Sequence, residues 1–97
     1  MIMPIDRKFT FVATCLEHGH DHDEFDAMVF LAKDAALPDL LDAYYQLCKD
    51  RGAEERQLVG ITLLRERVVR YQQEHPELVK VADVDNTPEG DSILAPN

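Results

Sequence analysis

The segment CLEHGHDHDEFD, residues 15–26, concentrates the side chains of this sequence that could do chemistry. Thiolate and imidazole are good ligands for zinc, nickel or copper, and they could converge on one ion if the segment folded back as a turn. The four candidate ligands are Cys15, His18, His20 and His22. Their spacing matches no standard zinc motif, and helix capping explains the neighbouring acids. A metal-binding or metal-sensing protein is therefore one alternative, and a solvated turn is the preferred interpretation.

Acidic residues are abundant in the sequence, but almost none of them is in a setting that favours catalysis. A catalytic carboxylate needs a partly buried setting that shifts its pKa, and nearly all of the nineteen acidic residues fall on polar helix faces or near the C-terminus. The sequence also has no glycine-rich phosphate loop and no paired-cysteine zinc spacing. We expect neither an enzyme nor a bound cofactor.

A second group of residues suggests a surface for a protein partner. On a projection of roughly 100° per residue, Arg65 falls inside the apolar stripe of a C-terminal helix, while Val59 and Leu63 fall on its opposite side. This arginine must pair with a carboxylate, extend past its neighbours or lie beneath a partner. Adjacent Tyr44 and Tyr45 cannot both be buried, and we assign the surface position to Tyr45. The predicted partner-binding residues are Phe30, Leu31, Tyr45, Val59, Leu63, Arg65, Asp21, Asp23 and Glu24.

Four helices are predicted to carry these residues. Apolar residues at helical spacing indicate helices over about 5–18, 24–35, 38–51 and 54–74, with glycine or proline near most of the ends. The predicted buried face of the second helix is Phe25, Met28, Val29, Ala32 and Ala36. That of the third helix is Leu40, Leu41, Tyr44, Leu47 and Cys48. That of the fourth helix is Leu58, Ile61, Leu64, Val68 and Tyr71.

The first of these helices competes with a strand. The segment KFTFVATC also alternates apolar and polar residues, and its β-branched and aromatic side chains suit an extended chain. We favour the helix and keep the strand as the alternative.

The predicted fold is all-α, a compact four-helix bundle or orthogonal array. This helical domain should occupy residues 1–80. Residues 81–97 carry prolines, a glycine and carboxylates without sustained periodicity, which is typical of an acidic tail with little regular structure.

Net charge restricts the partners. Ten basic residues against nineteen acidic ones give a net charge of −9, which repels nucleic-acid backbones and anionic lipid head groups. A DNA-binding regulator remains an alternative, because the helices could hide a helix-turn-helix, but the charge disfavours it. A protein with a basic surface would be attracted instead.

The cellular compartment of the protein is predicted from its first residues and from the length of its apolar runs. The opening MIMPIDRKF lacks the pattern of a secretory signal, and no apolar run approaches the roughly 20 residues that span a bilayer. We therefore expect a cytoplasmic protein, no membrane partner, and cysteines that remain thiols.

Two segments, DRKFTFVATCLEHG and FDAMVFLAKDAALPDLLDAYYQLC, resemble small accessory proteins encoded by bacteriophages and prophages of enteric bacteria. The resemblance covers about the first half of the chain and transfers no functional residue. It implies a phage-encoded protein in the host cytoplasm that binds a host enzyme or defence complex, as small acidic phage proteins often do, sometimes by imitating nucleic acid. The leading interpretation is a non-enzymatic acidic protein-binding module that modulates or inhibits its partner; self-association through the same patches stays open.

Overall fold

The computed structural model of the chain describes residues 3–85. Its elements are β1 (Val12–Thr14), β2 (Asp21–Asp23), α1 (Leu37–Asp50), α2 (Glu55–Glu74) and a short 3-10 turn (Pro76–Leu78). They form two compact units, which we call the hairpin unit (residues 3–30 with 83–85) and the helical unit (residues 31–82). Neither α1 nor α2 is both long and apolar enough to cross a membrane.

The third and fourth predicted helices are confirmed as α1 and α2, because local signals define their ends. Pro38 stands in the first turn of α1, and Gly52 follows its end with a φ of 83°, a conformation that favours glycine. At the start of α2, the Gln57 side chain accepts a hydrogen bond from the Glu54 N–H at 2.8 Å. The helix ends just before His75 and Pro76.

The helical unit is an antiparallel helix pair with a small core. Leu37 on α1 and Val68 on α2 are buried. The Arg65 guanidinium reaches back to the start of α1, where its Nε lies 2.7 Å from an Asp42 carboxylate oxygen and 3.3 Å from the Pro38 carbonyl oxygen. These contacts hold the C-terminal half of α2 against the N-terminal half of α1.

The hairpin unit contains a two-stranded antiparallel sheet in which Val12 pairs with Asp23 and Thr14 with Asp21. Gly19 closes the turn between the strands with a φ of 72°, and its N–H donates to the Cys15 carbonyl. The segment predicted as a first helix contains no helix, and the strand alternative is correct for Val12–Thr14.

A buried carboxylate organises the rest of the hairpin unit. One oxygen of Asp6 accepts hydrogen bonds from the Lys8 and Phe9 N–H groups, and the other accepts one from the Val29 N–H, each at 2.8 Å. Since Val29 lies 23 residues later in the chain, this side chain ties two distant segments together.

The all-α, four-helix prediction is wrong. Residues 24–36 contain turns and irregular backbone instead of the predicted second helix. The Asp23 carboxylate does accept the Phe25 N–H, as a cap would, but the Asp26 carboxylate accepts the Asp23 N–H and closes a turn. Side-chain acceptors that satisfy nearby backbone donors compete with helix formation, so these two local bonds disfavour a helix at the start of the segment. Residues 86–97 of the predicted acidic tail lie outside the described residues.

Candidate protein-binding surfaces

Exposed apolar side chains dominate the described part of the chain. Between residues 3 and 85, Leu37 and Val68 are the only buried hydrophobic residues, whereas sixteen large hydrophobic side chains are exposed. Scattered exposed apolar residues are normal, but so small a core leaves far more apolar surface than packing within the units covers. Surface, and not an enclosed pocket, is therefore where function should be sought.

The hairpin unit combines apolar and acidic surface. Phe25, Met28 and Phe30 are exposed, although the first two were predicted to lie in a buried helical stripe. Residues 3–30 contain six acidic side chains against two basic ones, so these apolar groups belong to a strongly negative segment. The prediction that Phe25 and Met28 are buried was wrong, because residues 24–36 do not form a helix.

A shallow groove of about 270 Å³ lies beside the sheet, and we call it the acidic groove. Its lining residues are Val12, Asp21, His22, Asp23 and Asp26. The Thr14 hydroxyl donates to the Asp21 carboxylate at 2.6 Å, which fixes one acid across the two strands. Two of the predicted partner-binding carboxylates, Asp21 and Asp23, therefore lie together, and Glu24 follows them directly with its carbonyl accepting the Ile5 and Asp6 N–H groups.

His22 and Asp26 form a hydrogen-bonded pair in the same groove. The His22 Nδ1 lies 2.7 Å from an Asp26 carboxylate oxygen. This hydrogen bond raises the pKa of His22 above its ordinary value of 6.5, and the Asp26 charge adds to the effect. The same hydrogen bond lowers the pKa of Asp26 below 3.8.

The four candidate metal ligands are near one another in sequence but are not gathered into a site. The Cys15 thiol is free and partly exposed, and the rings of His18 and His20 stack with centroids 5.8 Å apart. His22 is engaged with Asp26. Within residues 3–85, no three His, Cys, Asp or Glu side chains are placed to hold a metal ion together.

The remaining predicted partner-binding residues are in or beside the helices. Val59 and Leu63 are exposed one helical turn apart on α2, and Leu31 is partly exposed. Of the three possibilities for Arg65, the structure shows the internal pair, since Asp42 holds the guanidinium. Tyr45 is partly buried beside Ile61, and Tyr44 is the exposed tyrosine.

The predicted buried face of α1 is only partly correct, since Leu41 and Cys48 are sheltered as predicted and the other three residues are not. Leu40, Tyr44 and Leu47 are exposed, and the sheltered side runs through Leu37, Leu41, Tyr45 and Cys48. Both sets have helical spacing, so the sequence contained two apolar stripes. The start of the helix at Leu37, which adds a residue to the second stripe, was the available signal.

Comparisons with protein-family models, with curated proteins and with solved structures found no match.

Proposed function

We propose that this protein is a non-enzymatic binding module whose partner is a protein with a basic surface. The observation that carries the proposal is the excess of exposed apolar side chains over the two buried ones among residues 3–85. Apolar surface of this extent on a small domain is typical of a protein-protein interface.

The hairpin unit supplies the partner surface in this proposal. Phe25, Met28 and Phe30 are anchors, since aromatic residues and methionine are enriched where interfaces are buried. The carboxylates of the acidic groove and Glu24 provide the complementary charge for a basic partner. Nucleic acid would be repelled instead, because its phosphates would meet a negative surface.

The resemblance to phage accessory proteins suggests the setting. In that setting the partner is an enzyme or defence complex of an enteric bacterial host, and the acidic surface occupies a site that otherwise receives nucleic acid. The protein then acts by blocking its partner and performs no chemistry of its own.

The experiment is an affinity capture from enteric bacterial lysate, read by mass spectrometry. We expect the wild-type chain to retain a basic protein that a Phe25→Ser, Met28→Ser double variant loses. Val81→Ser is the matched control, because it removes an exposed hydrophobic side chain from the helical unit. Equal capture by all three baits, with folding verified by circular dichroism, would contradict the proposed surface.

A further inference from the structure

The backbone of β1 has one edge that no other strand covers. In an antiparallel sheet, directly opposite residues alternate between pairs that exchange hydrogen bonds and pairs that do not. The Cys15 N–H donates to the His20 carbonyl at 2.7 Å, so the bonded ladder continues through Ala13, two residues earlier. Val12 and Thr14 therefore direct their N–H and C=O groups away from β2. The described part of the chain forms a sheet of only two strands, so it supplies no strand for this β1 edge.

The outer edge of β2 is less available. The Asp23 N–H donates to the Asp26 carboxylate at 2.9 Å, and the Asp23 carbonyl accepts from the Asp26 and Ala27 N–H groups. The turn that follows β2 therefore occupies the outward groups of Asp23. A third strand can add to this sheet more readily at β1.

The sequence around β1 lacks the features that usually protect strand edges. Exposed edges are commonly protected by proline or by charged side chains. The segment FTFVATC, residues 9–15, contains neither, and its aromatic and β-branched residues favour extended backbone. All three residues of β1 are exposed. An edge of this kind is suited to pairing with an extended segment of another chain.

A sheet of two short strands also gains stability from a third. An isolated hairpin is at best marginally stable in water, and independent stability requires a further strand or a packed element. Asp21 and His22 of β2 are exposed as well as the whole of β1. An added strand would satisfy the open groups of the β1 edge and give the sheet its third member.

The acidic side chains of β2 select the kind of strand that can be added. Asp23 and Asp21 lie directly opposite Val12 and Thr14, and the Thr14 hydroxyl bond to Asp21 shows that these side chains share one face. Every second side chain of an added strand lies on that face too. With strands roughly 4.8 Å apart, the added strand is about 10 Å from β2, within the combined reach of a long basic side chain and a carboxylate.

These two carboxylates are free to pair with a basic side chain. Asp21 accepts from the Thr14 hydroxyl and Asp23 from the Phe25 N–H, and no lysine or arginine among the described residues forms a salt bridge with either. A second copy of the chain fits the β1 edge poorly, because pairing two such acidic hairpins brings like charges together. A basic segment is attracted by the same charges.

We infer that an extended segment of the basic partner adds to the sheet as an antiparallel third strand beside β1, with lysine or arginine at two alternate positions facing Asp21 and Asp23. Backbone hydrogen bonds to the β1 edge supply affinity, and the alternate basic side chains supply specificity. This inference rests on the proposed function, because it specifies how the hairpin unit holds the partner proposed there.

NMR of the full chain with a short peptide tests the pairing. Without peptide, we expect the Val12 and Thr14 amides to exchange freely with solvent and the Cys15 amide to be protected by its bond to His20. Acetyl-Thr-Lys-Val-Lys-Thr-amide should then shift the Val12 and Thr14 amide signals with a Kd in roughly the millimolar range, since ordering a short segment costs entropy. The matching peptide with glutamate in place of both lysines should bind at least about tenfold more weakly.

Methylated peptides separate strand pairing from simple charge attraction. In the antiparallel arrangement the two lysines lie opposite Val12 and Thr14, so their N–H groups donate to β1, whereas the N–H of the central valine points away. N-methylation of both lysines should weaken binding at least about tenfold, and N-methylation of the central valine should change it less than about threefold.

Two variants at one position test the β1 edge on the protein itself. Val12→Pro removes the outward N–H, which an edge strand tolerates, whereas Val12→Thr keeps this donor and a β-branched side chain. We expect the proline variant to weaken peptide binding at least about tenfold and the threonine variant less than about threefold. A protected Cys15 amide in both variants shows that β1 and β2 remain paired.

Three results would overturn the inference. These are protection of the Val12 and Thr14 amides without peptide, which means that the edge is already covered, no signal shift up to about 10 mM peptide, and equal weakening by the two kinds of N-methylation. Lysate capture separates this failure from that of the proposed function. A basic protein retained equally by wild type and Val12→Pro contradicts the third strand alone, whereas peptide pairing without any captured basic protein contradicts the proposed function alone.

Discussion

Individual side-chain carboxylates in the hairpin unit accept hydrogen bonds that hold its backbone in place. Asp6 is buried, and the hydrogen bond from the Phe9 N–H is the largest of the effects that lower its pKa below 3.8. Because the folded pKa is depressed, this contribution to stability is present above pH 3.8 and is lost as the pH falls through the folded value. Acid should therefore loosen the hairpin unit by protonating Asp6.

Asp6→Asn should release one contact selectively. The amide oxygen can still accept from Lys8 and Phe9, but the amide nitrogen then faces the Val29 N–H and cannot accept from it. We expect the Val29 amide to exchange with solvent at least about tenfold faster, as hydrogen-exchange NMR can measure, because a partly buried donor loses its acceptor. Asp39→Asn, an exposed carboxylate of α1, is the control. Unchanged exchange at Val29 would show that the bond does not restrain the segment.

The His22–Asp26 pair predicts a pH window for the acidic groove. The His22 pKa is raised above 6.5, so its contribution is full below that pH and is lost as the pH rises through the folded value. The Asp26 pKa is lowered below 3.8, so its contribution is lost as acid titrates it. The pair should stabilise the groove most between about pH 4 and 6.5.

Asp26→Asn tests this pair at the residue itself. We expect the variant to lower the His22 pKa toward 6.5, because the amide carries no charge and, with its oxygen accepting from the Asp23 N–H, turns its nitrogen toward His22. An NMR titration of the His22 ring protons measures the change. Identical titration curves for the variant and the wild type would mean that Asp26 does not hold the imidazole in solution.

At the scale of the elements, the pairing of α1 with α2 rests on apolar contact more than on its ion pair. The Arg65–Asp42 bridge has good geometry, but both side chains are more than one third exposed. Exposed ion pairs contribute little, because water screens the charges and ordering the side chains costs entropy. Val68 and Leu37, which are buried, are expected to matter more.

Two variants separate these contributions. Asp42→Asn should lower the free energy of unfolding by less than about 1 kcal/mol, because it removes only a solvent-screened charge. Val68→Ala should lower it by about 1–3 kcal/mol, because it removes buried methyl groups. Urea denaturation followed by circular dichroism at 222 nm measures both values. A larger loss for Asp42→Asn would reverse this ranking.

The whole molecule distributes its charge unevenly along the chain. Residues 3–30 carry a net charge of −4 and residues 83–97 another −4, leaving −1 for the helical unit. If this charge guides a basic partner, it should act mainly on the rate of encounter, while apolar anchors determine how long the complex lasts.

Isosteric neutralisation tests that division of roles. The triple variant Asp21→Asn, Asp23→Asn, Glu24→Gln keeps side-chain oxygens for the Thr14 and Phe25 donors and removes only charge. We expect slower association and a flatter salt dependence in surface plasmon resonance against the captured partner. Phe30→Ala, and Leu63→Ala if α2 also contacts the partner, should instead speed dissociation, by up to roughly a hundredfold at a hot spot. If the association rate changes neither with salt nor in the triple variant, the negative charge does not guide the partner and contributes only to solubility.

The candidate site was only partly predictable for a physical reason. Asp21, Asp23 and Phe30 were predicted to bind a partner because an acidic turn and a surplus aromatic are visible in composition and spacing, and that role stays a prediction. Leu40, Tyr44 and Leu47 were assigned to the core, because both apolar stripes on the helix have helical spacing and the position of α2 selects between them.

The sequence by itself determined α1, α2 and the net charge, because proline, glycine and helical periodicity act over a few residues and charge is additive. Tertiary structure decided the hairpin unit. Residues 8–15 contain a pattern compatible with both helix and strand, and residues 24–35 have a helical pattern where the structure has turns and irregular backbone. The Asp6 carboxylate meets Val29 across 23 positions, and such a contact forms only once the chain has folded back.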